Sequence, residues 1–181
     1  MSRLAGHFIR TMRLPVPYHS QKTDYNCGPA SLQMVFGYFK NFHSQSELAK
    51  LVKTTPEVGT RHQHMIEAAT KKGFYCYVNE GSTIHEIKHY INIKLPVVVN
   101  YTEPSWGEGH YAVVSGYTPF SLVLNDPWNG KNFKMSFKKF LGRWHDRWEH
   151  KTYHHWIMVI SKKDFDLGKV YHPVQTIDKK V

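Results

Sequence analysis

The apolar and polar positions fall into two different rhythms along the chain. From Cys27 onward Leu32, Val35, Phe36 and Phe39 recur at helical spacing, and Pro29 is tolerated in a first turn. Before them, Leu14-Pro15-Val16-Pro17-Tyr18 reads as extended, because each proline biases its predecessor away from helix, and Asp24 to Asn26 reads as a turn. Two more helices are expected over Ser46 to Lys53 and Thr60 to Lys72, the second ending at Gly73. A strand over Phe74 to Val78 then leads into a helix from Thr83 to Ile93, with Ser82 as its N-cap.

After Pro96 the pattern changes. Val97-Val98-Val99-Asn100-Tyr101 is a β-branched run of strand length, followed by strands over Tyr111 to Tyr117 and Ser121 to Asn125. Asn132 to Met135 and Tyr153 to Ile160 add two more, around a short helix over Phe137 to Trp144. Helices first and a mostly antiparallel sheet second make an α+β fold. One domain over residues 1–161 with a polar, basic tail over 162–181 accounts for the whole chain.

Length and composition narrow the partners. A chain of 181 residues can bury about two thirds of its unfolded surface, so neither metal nor disulfide is needed for folding. Two cysteines make no disulfide framework. The formal charge is +10, but the basic residues are scattered, with no sustained helical stripe and no recognised nucleic-acid motif, so nucleic acid is not expected as the main partner. Nothing resembles a transmembrane span. The apolar patch of Leu4, Ala5, Phe8 and Ile9 is interrupted by Gly6 and His7, whereas a secretory signal needs about 7–15 apolar residues in a row. A cytoplasmic protein is expected, or a secreted one if a signal has been trimmed away. The hydrophobic stretches fit a monomer.

The chemistry starts at Cys27. It stands where a loop gives way to a helix, so its sulfur lies near the positive end of the helix dipole, which favours the nucleophilic thiolate. A base comes from the hairpin expected between residues 111 and 125. If it turns near Thr118, His110 faces Asp126 on the same side of the sheet, and the carboxylate can orient the imidazole. Pro119 can shift that register by one residue, which would break the pairing.

Further motifs point to a family. Val16-Pro17-Tyr18-His19-Ser20-Gln21 followed by Asn26-Cys27-Gly28-Pro29-Ala30-Ser31 resembles the double-glycine leader peptidases, the bacteriocin-processing cysteine peptidases, above all their stand-alone members. Gly109-His110-Tyr111-Ala112 and Leu124-Asn125-Asp126-Pro127 look like the same family's histidine and aspartate motifs. The resemblance spans about residues 14–145. It implies a papain-like fold and hydrolysis of a peptide or amide bond through a Cys27 acyl-enzyme, with no cofactor and a peptide or protein as substrate. Under it Gln21 carries over as an oxyanion-hole donor beside the backbone N–H of Cys27. Trp106 and Trp128 flank the histidine and aspartate motifs and could wall a substrate cleft.

Rival readings stay open. A transferase would use the same triad with an amine in place of water, and a non-catalytic peptide-binding module could share the scaffold. His85-Glu86-Ile87-Lys88-His89 matches the zinc pattern HExxH, but a chain with 13 histidines meets that pattern by chance and the elongated third-histidine form is missing, so no metal is expected. His62 with His64, and His154 with His155, have poor geometry for sharing an ion.

Overall fold

A computed structural model describes residues 11–166 and 168–174. The apolar patch of Leu4 to Ile9 and the end of the expected tail lie outside the described residues. In chain order the elements are β1 (Met12–Arg13), α1 (Cys27–Tyr38), α2 (Gln45–Leu51), α3 (His62–Lys71), β2 (Tyr75–Asn79), α4 (Ile84–Asn92), β3 (Val97–Thr102), β4 (Gly109–Tyr117), β5 (Ser121–Asp126), β6 (Gly130–Ser136), α5 (Phe137–Leu141), β7 (His145–Trp148), β8 (Lys151–His154), β9 (Ile157–Ser161) and β10 (Lys169–Tyr171). The fold is α+β, as the change of rhythm predicts.

One antiparallel sheet runs in the order β10-β2-β9-β3-β4-β5-β6, with β1 laid on β4, and β7 and β8 form a separate hairpin. Helix α1 is buried along nearly its whole length, with Leu32, Met34, Val35 and Phe36 fully out of solvent. Each such side chain contributes roughly 1.5–3 kcal/mol as an upper figure. This anchors the residue at the head of the helix, Cys27, against β4. Helix α2 is fixed by a capping box, in which Ser44 accepts from the Glu47 amide and the Glu47 carboxylate accepts from the Ser44 amide.

The β4–β5 hairpin departs from the expected register in an instructive way. A turn at Thr118 would set Tyr117 opposite Pro119, but Tyr117 pairs with Leu122 because the tight turn lies at Pro119-Phe120, closed by Thr118 N–H to the Ser121 carbonyl. That is an offset of three, which alone would send Asp126 to the wrong face. A β-bulge at Ser115 takes one residue back, so beyond it Val114 pairs with Leu124 and Val113 with Asn125. The remaining offset of two keeps the face. Asp126 thus falls diagonal to His110 instead of directly opposite, still within reach of a long side chain.

Gly116 sits next to this bulge for a steric reason. A Cβ there would run into the Met12 carbonyl and come within 3.0 Å of Arg13 Cα, and backbone atoms cannot swing aside. The contact lets β1 seat on β4, where Leu14 N–H donates to the Ser115 carbonyl at 2.7 Å.

Three expectations need correction. The cap of α4 is Thr83, whose hydroxyl accepts from the Glu86 amide at 3.1 Å, while Ser82 is buried and accepts from Asn79. The strand expected over Tyr153 to Ile160 is two strands, because His155 takes a left-handed φ of 52° and stacks its ring on Trp144 at 4.6 Å. The segment read as a polar, basic tail is partly built in: β10 pairs with β2, and Phe165 packs on Tyr77 and Tyr90.

Candidate active site

Cys27 is the first residue of α1, so its N–H and that of Gly28 lie in the first turn, where no helical partner exists for them. Its neighbour Gly28 faces α3's approach loop, since a Cβ there would stand 2.6 Å from Thr60 Oγ1. Both cysteines are free and buried. Burial alone pushes the Cys76 thiol far above the ordinary cysteine range, which leaves it inert.

His110, at the second position of β4, donates from Nε2 to Asp126 Oδ1 over 3.0 Å, and Cys27 is near enough to act on the charge of the same ring. With Nε2 engaged by the carboxylate, Nδ1 is the nitrogen left for the sulfur. Burial opposes charge on this imidazole, but the hydrogen bonds to Asp126 and Cys27 and their charges outweigh it and raise His110 to about 10. The ring therefore carries its proton through the neutral range.

Asp126 is fully buried and amply supplied with donors. Oδ1 accepts from His110, from the amides of Trp128 (2.9 Å) and Asn129 (2.7 Å) and from Asn129 Nδ2 (3.3 Å), while Oδ2 accepts from the Tyr101 hydroxyl at 2.6 Å. Burial works against its charge, yet His110 and these donors hold its carboxyl below the usual range. Burial and Asp126 push the Tyr101 hydroxyl up, so it stays a donor.

Gln21 is carried by the loop that runs into Cys27 and is tied to the aspartate turn by its own N–H, which donates to the Pro127 carbonyl at 3.1 Å. Its side-chain Nε2 donates to the carbonyls of Thr23 (2.8 Å) and Asp24 (3.0 Å), and Oε1 is buried without a partner. Trp106 and Trp128 lie edge to face with centroids 4.5 Å apart and are 54% and 43% exposed, a large apolar surface left facing water. Hydrogen bonds thus tie the Gln21 segment, His110 and Trp128 to the Asp126 turn, with Trp106 packed against Trp128.

Three residues that the sequence did not single out complete the arrangement. Tyr101 supports Asp126 from β3, and Asn129 Nδ2 bridges Asp126 to the buried Glu103 at 3.1 Å. Glu103 in turn accepts from the amides of Ser105 and Trp106, which fixes the loop that bears Trp106. The only sequence signal was the strand period, which puts Tyr101 opposite His110 in the β3–β4 ladder.

The HExxH residues take another role. Glu86 accepts from the Tyr77 hydroxyl (2.7 Å) and from Asn79, while His85 and His89 stand exposed on α4. His62 stacks flat on Trp156 at 4.0 Å, and burial lowers it to about 4. Among the described residues no helix is long and apolar enough to cross a membrane.

Residues 13–151 match the model of the Peptidase_C39 like family. The chain is 30% identical over 132 residues to the transport/processing ATP-binding protein ComA of Streptococcus pneumoniae, covering 70% of this chain and 17% of that protein. The chain thus spans about a sixth of the length of the curated relative it matches. Among solved structures, a putative C39-like peptidase from Bacillus anthracis aligns with a TM-score of 0.69 at 18% identity, over 86% of this chain and all of that one. The peptidase domain of Streptococcus ComA gives 0.66 at 24% identity, over 80% of this chain and 97% of the domain. A double glycine motif protease from an AMS/PCAT transporter, solved with the leader peptide, gives 0.65 at 18% identity, over 82% and 93%.

Proposed function

The chain belongs to the Peptidase_C39 like family, and from that premise we propose that it hydrolyses a peptide bond through a covalent Cys27 intermediate, with His110 as acid and base. The observation that carries this reading is the buried Asp126–His110 hydrogen bond, with Cys27 at the head of α1 acting on the same imidazole.

The sulfur of Cys27 attacks the carbonyl carbon and forms a C–S bond while the carbonyl electrons move to oxygen. The N–H of Cys27 and the Gln21 amide receive that oxyanion, each donor lowering the barrier by about 3–4 kcal/mol. Gln21 does this by exchanging one of its bonds to the Thr23 and Asp24 carbonyls for the substrate oxygen. Collapse breaks the C–N bond, and His110 gives its proton to the leaving amine. Water then attacks the thioester, His110 takes its proton, and the acid leaves as the cysteine is regenerated. Asp126 stays charged throughout and holds the ring in one orientation.

The substrate is a peptide, and the tryptophan pair forms one wall of its cleft. Likeness to a double glycine motif protease makes a glycine pair before the scissile bond the first sequence to try. An internally quenched peptide of that kind is expected to be cleaved after the second glycine, with cleavage stopped by prior alkylation of Cys27. Trp106→Ala is expected to raise KM about 10-fold with kcat within about 2-fold, the pattern of a contact made equally in ground and transition states. Failure of the wild-type protein to cleave that peptide or any member of a mixed-sequence peptide library sinks the hydrolase reading.

A further inference from the structure

The two proposed oxyanion donors come from two different segments. Gln21 lies in the stretch Ser20 to Lys22, and the Cys27 N–H follows Asn26. For the donors to converge on one oxygen within about half an ångström, something must set these segments relative to each other. A single side chain reaches both. Gln45, the first residue of α2 and 1% exposed, accepts at Oε1 from the Lys22 amide (2.7 Å) and from Asn26 Nδ2 (3.4 Å). Its Nε2 donates to the Ser20 carbonyl (3.0 Å) and to Gln33 Oε1 (3.4 Å).

Resting on the reading of Cys27 and Gln21 given above, we infer that Gln45 is a positioning residue of the oxyanion hole. It touches neither the reacting atoms nor the triad. It brackets Gln21 on both sides, at Ser20 and Lys22, and holds the residue just before the nucleophile. Together with the Gln21 N–H bonded to Pro127, three consecutive residues of the Gln21 segment are fixed through the main chain, so that reaching substrate requires only the Gln21 side chain to exchange a hydrogen bond. The anchor itself is rigid: α2 is held by its capping box and by the buried Leu48. A glutamine suits this place because one planar group offers an acceptor to two donors and two donors to two acceptors.

The test separates two reactions of the same sulfur. Peptide hydrolysis passes through a tetrahedral oxyanion. Alkylation by iodoacetamide does not: the sulfur forms a C–S bond as the C–I bond breaks and iodide leaves. Gln45→Glu keeps the volume and the acceptor for Lys22 and loses the donor to Ser20. Gln45→Leu removes the whole clamp and leaves buried partners unsatisfied, so it serves where it folds. For Gln45→Glu, kcat on the Gly-Gly peptide is expected to fall about 10- to 100-fold, with KM and the Cys27 alkylation rate within about 3-fold of wild type. Adding Gln21→Ala to the Gln45→Glu background is expected to cost much less than Gln21→Ala alone. The inference is overturned if kcat is unchanged, if alkylation falls in step with hydrolysis, or if the two substitutions multiply. Failure of the underlying reading is distinguished by the wild type, whose Cys27 would then show neither rapid alkylation nor cleavage.

Discussion

Cys27→Ala is expected to reduce peptide hydrolysis by about 10⁴-fold or more while leaving the fold intact. No other group among the described residues can replace the sulfur, since Cys76 is buried in β2. The structural cost is small, because the substitution removes one atom at the head of a helix that is held by Leu32, Met34, Val35 and Phe36 further along. It also has a signature besides activity. Hydrogen bonding to Cys27 and its charge are among the causes that raise His110, so their loss lets the opposing effect of burial count for more and His110 falls from about 10. A histidine titration followed by NMR checks that direction, and a substrate complex of the variant reports binding without turnover.

Asp126→Asn is expected to lower kcat by about 10²- to 10⁴-fold and to move the alkaline limb of the pH–rate profile toward neutrality. The geometry explains why the turn survives. Four donors, from His110, the Trp128 amide and the Asn129 amide and side chain, converge on Oδ1, and an amide oxygen can still accept there, with the new NH₂ directed at the Tyr101 oxygen. What is lost is the charge. Burial, the largest influence on His110, lowers its pKa, and the Asp126 carboxylate leads the effects that override it, with Cys27 adding to them. Without that carboxylate the imidazolium releases its proton at lower pH. The same linkage acts on stability: a raised His110 stabilises the fold below about pH 6.5, and that contribution is lost as pH climbs toward 10. Asp126→Ala is a different experiment. It strands two part-buried amides and a buried phenol, and is expected to destabilise by about 2–4 kcal/mol in denaturant unfolding.

How far the sequence foretold this site depends on the kind of information each residue carries. Cys27 was legible because a loop-to-helix junction is a local pattern, and α1 begins where Pro29 and the apolar spacing place it. His110 and Asp126 were legible in parity but not in register: the turn at Pro119-Phe120 and the bulge at Ser115 each move the pairing, and only their combination keeps the two side chains on one face. A bulge leaves no mark in hydrophobic alternation, which is why it was missed. Tyr101, Glu103, Asn129 and Gln45 were illegible for another reason. A buried polar side chain acquires its meaning from partners brought together by the fold, and Gln45 meets Ser20, Lys22 and Asn26 across 19 to 25 residues of chain. The β7–β8 hairpin was missed because His145-Asp146-Arg147-Trp148 carries little apolar alternation and pairs only with β8, as a separate two-stranded unit.

Activation of the Cys27 sulfur by His110 is expected to show in the alkylation profile of the folded, reduced protein. Iodoacetamide would be applied across pH 5 to 9 to the wild type and to His110→Ala, with the modified cysteine mapped by mass spectrometry. Cys27 is expected to react rapidly at pH 6, buried Cys76 to stay unmodified, and His110→Ala to lose the rapid reaction at pH 6. An inert Cys27, or one whose profile is the same in both proteins and rises only near the ordinary thiol range around pH 8.5, would contradict it.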